Sequence, residues 1–165
     1  MRCKSPLVAL VTAILLAAPL ARADDWLTYQ NDRYGTTIDY PPVFKMQRPP
    51  DDDDGREFKS ADGAEFTVSA SYGGIDFTLA TYHDFIVQHL DPGSVVSYEA
   101  RGKNWFVVSG TVGDKIFYEK HRLSHGAEMT EDFVVSYPAA AKRTYDPIVA
   151  RMAKSFRSGS GFQTQ

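Results

Sequence analysis

Cysteine is all but absent. The 165 residues contain one, Cys3. Past that position the chain can form no disulfide, offers no catalytic thiol and supplies no thiolate to a metal. A domain of about 140 residues can manage without them, because it buries roughly 68–70% of its unfolded surface. Excess positive charge is absent too. Lys and Arg number 18 against 21 Asp and Glu, a net charge of −3. Without Arg2, Lys4 and Arg22 the balance is 15 against 21, or −6. That excludes nucleic acid and anionic membrane as expected partners, since both need clustered cations. No apolar run reaches the roughly 20 residues of a membrane span. Neither Asn31 nor Asn104 begins an N-x-S/T sequon.

Catalytic motifs are equally scarce. Ser109 runs from one strand pattern into another, without the strand–turn–helix that a nucleophile elbow requires. Gly110 to Lys115 (GTVGDK) lacks the G-K-S/T ending of a phosphate-binding loop. No cofactor is expected.

What is there begins with an export signal. Arg2 and Lys4 precede an apolar stretch from Leu7 to Ala18, Pro19 breaks it, and Ala21-Arg22-Ala23 is a small-x-small cleavage site. Residues 1–23 therefore read as a signal peptide cleaved after Ala23, which leaves no stable membrane anchor and a periplasmic or secreted product. Residues 24–157 read as one domain. Residues 158–165, rich in Ser, Gly and Gln, read as a disordered tail.

Strand patterns fill most of the domain. Tyr34 to Tyr40 ends at Pro41-Pro42, which cannot donate to a ladder, and Val43 to Gln47 continues beyond that corner. Glu57 to Ser60 and Glu65 to Tyr72 form a hairpin about Ala61-Asp62-Gly63. Leu79, Tyr82, Phe85, Ile86 and Leu90 recur at helical spacing, and Asp91-Pro92-Gly93 ends that helix. Val95 to Ala100, Trp105 to Val112, Lys115 to Leu123 and Glu128 to Tyr137 then make an antiparallel meander, with Trp105 to Val112 as a central strand. Tyr145, Ile148, Val149, Met152 and Phe156 mark a last helix. Asp146-Pro147 is its expected N-cap and first residue, and Ala139 to Thr144 is either a preceding turn or a kinked first half. The fold class is α+β, a central antiparallel sheet with helices packed on it.

Candidate sites are few. The acidic run Asp51 to Asp54 precedes Gly55. Aligned to a calcium loop, Asp52 and Asp54 take the third and fifth positions, but Pro50 and Ala61 fall where two key ligands belong. Asp52 and Asp54 are thus a weak calcium candidate within a solvated loop, and no other metal site is expected. His83 and His89 point to different sides of a helix. His121 and His125 fall at a strand end and a turn, where a spacing of four brings nothing together. Glu119 stands to face Glu131 or Asp132 across the last hairpin, the kind of carboxylate pair a hydrolase would need. The aromatics Trp26, Tyr29 and Trp105 are a possible ligand platform, set against the ordinary role of such rings in a core.

Two stretches carry a resemblance. YGTTIDYPPVF (Tyr34 to Phe44), a strand running into a proline corner and an aromatic, resembles the opening of PsbP-like (DcrB-like) domains. VARMAKSF (Val149 to Phe156) resembles their closing helix. The resemblance covers the two ends of the mature chain and implies an α/β/α sandwich. Its motifs are packing motifs and carry no catalytic residue across.

The function expected is that of an exported accessory or binding protein without catalytic activity, acting on an envelope or extracellular protein. The alternatives are a small-ligand carrier with an aromatic-lined pocket and, more weakly, a carboxylate-dependent hydrolase. The export reading has a direct check. The intact mass of the exported protein should correspond to a chain beginning at Asp24, and a product that retains residues 1–23 would refute it.

Overall fold

A computed structural model describes residues 25–72 and 77–159 of the chain. The expected signal peptide with its cleavage site, and the expected tail beyond Gly159, lie outside the described residues.

The described chain starts with two short strands, β1 (Leu27–Gln30) and β2 (Thr37–Tyr40), which pair with each other, while Thr37 also exchanges backbone hydrogen bonds with Arg157. The sequence reading missed β1 and began the next strand too early, at Tyr34. The reason is the turn between them. Asn31 Oδ1 accepts the backbone N–H groups of Arg33 and Tyr34, Gly35 donates to the Asn31 carbonyl at 2.7 Å, and Gly35 turns left-handed at φ +73°. Tyr34 and Gly35 are therefore turn residues, and Gly suits the left-handed position.

Seven strands form the main sheet: β3 (Lys45–Met46), β4 (Gly55–Lys59), β5 (Glu65–Tyr72), β6 (Val95–Arg101), β7 (Trp105–Val112), β8 (Lys115–Ser124) and β9 (Met129–Pro138). Their order is β3-β4-β5-β9-β8-β7-β6, all neighbours antiparallel. The expected hairpin is β4–β5 and the expected meander is β6 to β9. β7 lies inside the sheet as expected, between β6 and β8, but the middle strand is β9, because it leaves the meander to pair with β5 on its far side and so stitches the hairpin to the meander. Local turn signals identify the meander but say nothing about this non-local pairing.

Helix α1 (Leu79–Gln88) packs on one face of the sheet and α2 (Lys142–Ser155) on the other. Thr78 caps α1, exchanging hydrogen bonds with Thr81 in both directions. Phe85, expected on the buried face, is 43% exposed and stacks instead on His89 at 4.2 Å. α2 starts four residues before the expected N-cap, after a 3₁₀ turn at Ala139–Ala141, so Pro147 lies inside it. Pro147 has no N–H for the Arg143 carbonyl. The extra turn is held by other means: Tyr145 is buried, and Asp146 accepts from Lys142 at 2.5 Å and from the Tyr137 hydroxyl at 2.9 Å. The Asp146 carboxylate is thereby committed to the sheet and caps nothing.

The larger core lies under α2. Phe58 and Phe66 stack at 4.3 Å, Phe44 meets Phe66 edge-on at 4.8 Å, and Phe133, Tyr145, Val149, Met152 and Phe156 close over them. Each such side chain contributes about 1.5–3 kcal/mol by leaving water. On the same face the fully buried Glu131 accepts from Thr36 Oγ1 at 2.7 Å and from Ser158 Oγ, so it fastens the β1–β2 ribbon and the chain beyond α2 to the sheet. Residues 158 and 159 thus still make contacts, and Gly159 lies against Gly35.

The topology sets an order of amide protection. β9 is paired on both sides along its length, and β6 is an edge. Hydrogen exchange should be slowest in Phe133 to Tyr137, slow in Trp105 to Val112, and fast in Val95 to Arg101. Equal protection of β6 and β9 would contradict this sheet order.

Candidate functional site

The face beneath α1 differs chemically from the face beneath α2. Period-two alternation along β8 turns Phe117, Glu119, His121 and Leu123 toward α1. The β8–β9 register sets His121 opposite Asp132. His121 Nδ1 lies 2.7 Å from Asp132 Oδ1, and Nε2 lies 3.0 Å from Glu119 Oε2. The ring is 2% exposed, stacked on Phe106 at 5.0 Å and edge-on to Tyr82 at 5.7 Å. Tyr82, the one fully buried residue of α1, donates its hydroxyl to the same Asp132 oxygen at 2.5 Å.

These contacts fix the protonation of the imidazole. A carboxylate only accepts, so a ring with a carboxylate on each nitrogen must donate from both. Burial alone would lower the His121 pKa. The hydrogen bonds and charges of Asp132 and Glu119 outweigh it and push the pKa up to about 9. Burial and the neighbouring Asp132 charge hold the Tyr82 hydroxyl well above the usual phenol range, so it stays a donor. The assembly is a carboxylate–imidazolium–carboxylate row with a tyrosine on one end.

Sequence reasoning placed His121 at a strand end; it lies inside β8. The carboxylate expectation is half met. Glu119 and Asp132 do share a face, with His121 between them, but Glu131 points to the opposite face of the sheet. Period two carried the signal, because Glu119 and His121 are two apart on one strand.

Above the row, α1 and the β6–β7 edge enclose an open groove of about 690 Å³. Leu79, Ala80 and Phe106 form its floor; His83, Asp84, Glu99 and Arg101 form its rim. His83 links the two walls: its ring stacks edge-on against Phe106 at 5.2 Å, with Nε2 at 3.5 Å from Glu99 and Nδ1 at 3.3 Å from Asp84. No motif marks these residues, because α1 and β6 come together only through the fold.

The residues singled out in the sequence lie elsewhere. Tyr29 is buried against Phe58 at 5.5 Å. Trp26 packs beside the α2 core under the Arg151 guanidinium at 4.1 Å. Trp105 lies against Gly102 with Lys120 Nζ 5.4 Å from its ring centre. Among the described residues no ring contact joins any two of the three, and each is engaged in its own packing. The acidic loop is held through its backbone: Arg33 donates to the Asp52 carbonyl at 2.7 Å, and Asn31 donates to the Asp53 carbonyl at 3.2 Å. The Asp53 side chain pairs with Arg56 at 3.0 Å. Partial burial first, then the nearby Asp52, raises the Asp54 pKa. Among the described residues no group of three His, Cys, Asp or Glu side chains converges as a metal site would require, and no helix is long and apolar enough to cross a membrane.

The imidazolium makes stability depend on pH. A raised folded-state pKa gives stabilisation that is complete below the unfolded value of about 6.5 and is lost as pH rises through about 9. Urea melts at constant ionic strength should show stability falling over that window, by on the order of 3 kcal/mol. The His121 ring should titrate near 9 by NMR, and a midpoint below about 7 would refute the double-donor assignment. Tyr82→Phe should cost about 1.5–3 kcal/mol, as for a hydrogen bond to a charged group, and should speed amide exchange in α1 more than in α2.

No protein-family model matches the sequence, and no curated protein matches it. Solved structures do match in shape. The solution structure of cyanobacterial PsbP (CyanoP) from Synechocystis sp. PCC 6803 superposes with a TM-score of 0.61 at 14% identity, covering 87% of this chain and 98% of that one. The Saccharomyces cerevisiae Ran-binding protein Mog1p superposes with a TM-score of 0.54 at 11% identity, covering 80% and 94%. At such identities the likeness is one of fold, and it agrees with the sheet order, the two helix layers and the resemblance at the chain ends: this chain carries the PsbP-like α+β fold.

Proposed function

We propose that this chain is an exported, non-catalytic accessory or binding protein that receives a protein partner in the groove between α1 and β6. The observation that carries the reading is the groove itself, about 690 Å³ with an apolar floor and a rim of both charge signs. That is the anatomy of a recognition site: apolar contact in the centre for affinity, polar groups around it for orientation. The CyanoP and Mog1p folds support it by analogy, the second being named for binding Ran.

The arrangement of carboxylates disfavours hydrolysis. Glu119 and Asp132 both bond to His121, and Glu131 is buried on the far face. None is left to donate or take a proton at a substrate.

The test is photo-crosslinking in the envelope. Benzoylphenylalanine at Ala80 or Asp84 should yield one discrete adduct, and the same group at Asp62, on the β4–β5 turn, should not. Reversing the rim with Glu99→Lys and Arg101→Glu together should abolish the adduct while leaving the melting curve within about 0.5 kcal/mol, as for ordinary surface changes. The same adduct from Asp62, or none from either groove position, would overturn the proposal.

A further inference from the structure

The sheet face under α2 carries a second recess, independent of the α1 groove. It lies between α2 and strands β6 to β8 and has a volume of about 350 Å³. The register makes its floor regular. Tyr98 of β6 is opposite Ser109 of β7, and Ser109 is opposite Tyr118 of β8. One rung across three strands therefore reads Tyr-Ser-Tyr. Neighbouring strands lie about 4.8 Å apart, so the tyrosines rise from positions roughly 9.6 Å apart with only a serine between them. A ring entering edge-on needs about 3.5–4 Å to each neighbouring face, so the gap accepts one ring.

Tyr98 reaches this face because of a β-bulge. Val96 pairs with Gly110 and Tyr98 with Ser109, leaving Ser97 as the extra residue. Without it, period two would send Tyr98 to the α1 face along with Val96. The bulge needs Gly110, where a Cβ would sit 2.0 Å from the Val95 carbonyl oxygen. Yet Tyr98 adds nothing to the core: it is 56% exposed and touches no other ring among the described residues. An extra residue and a glycine are thus committed to aiming one exposed tyrosine across a slot.

The chemistry of the recess narrows what fits. The Tyr98 and Tyr118 hydroxyls make no hydrogen bond among the described residues. Burial first, then Tyr98, pushes the Tyr118 pKa up to about 12, so this phenol both donates and accepts at neutral pH. Ser97 and Thr111 add hydroxyls. The charged pair at the rim, Lys142 and Asp146, is mutually satisfied at 2.5 Å. Among the described residues lining the recess, an anion would find no free cation, and a cation no free carboxylate. A purely apolar ligand would cover hydroxyls without satisfying them.

We propose that this Tyr98–Ser109–Tyr118 slot binds a neutral saccharide, one pyranose ring seated between the tyrosines. The apolar C–H face of a sugar ring meets the electron-rich face of a tyrosine, and its equatorial hydroxyls meet the phenols and serines at the edge. Tyrosine suits the task, giving a large, rigid, amphipathic contact with few rotatable bonds.

The test is an NMR titration of the purified protein with maltotetraose, cellotetraose and chitotetraose. At least one should give saturable shifts centred on Tyr98, Ser109 and Tyr118, with a Kd of about 10 mM or tighter. Tyr98→Ala should weaken binding at least tenfold without lowering stability, because the ring is exposed. Tyr98→Phe, which keeps the face and loses the hydroxyl, should fall between. No saturable shift at this rung with any of the three sugars would overturn the proposal. So would shifts that survive Tyr98→Ala, or a response to p-cresol with none to the sugars.

Discussion

One imidazole ring holds a whole layer of this molecule in place. α1 buries a single side chain completely, Tyr82, and that side chain ends on an aspartate already bound to His121. The remaining contacts of α1 are partly exposed aliphatic and aromatic groups. The opposite layer is held in another way, by stacked rings and a row of buried side chains along α2. A hydrogen-bonded ion cluster depends on geometry and protonation, whereas a packed core depends mainly on area removed from water. The sheet therefore presents one layer secured by shape and one secured by charge.

This asymmetry places the open surfaces. Where α2 meets β2, β4 and β5, the packing is dense and aromatic. Toward β6 the cover thins on both faces, because each helix reaches only part of the sheet. The α1 groove and the tyrosine slot sit back to back at that end, divided by the backbone of β6 and β7. The bulge at Ser97 assigns side chains between them: Glu99 faces the groove and Tyr98 the slot.

Local patterns made most of the elements legible. Period two gave β5, β7, β8 and β9 to within a residue or two, and helical spacing gave α1. The proline corner and the final amphipathic run supported the family resemblance that the fold bears out. What stayed hidden was non-local. The pairing of β5 with β9 joins segments some sixty residues apart, and no turn signal marks it. Asp146-Pro147 imitates a helix start, but the tertiary bond from Tyr137 takes the carboxylate and α2 begins earlier. The candidate sites fared similarly. Trp26, Tyr29 and Trp105 attract notice as large aromatics, but the fold disperses them. Tyr98 and Tyr118 look unremarkable as sequence, and only strand register with one extra residue sets them across a serine.

The two ends of the main sheet are also unlike. β3 is only two residues long and begins with a lysine, which offers another strand almost nothing to pair with. β6 spans seven residues and leaves one side of its backbone open. Filament growth through strand pairing needs a donor edge and a different acceptor edge on every copy, a heterologous contact that never closes. In the main sheet, β6 is thus the long free edge among the described strands. Pairing of β6 with β6 about a two-fold axis uses up both copies' β6 edges at once, so that contact closes at a dimer and leaves no β6 edge from which a fibre could extend.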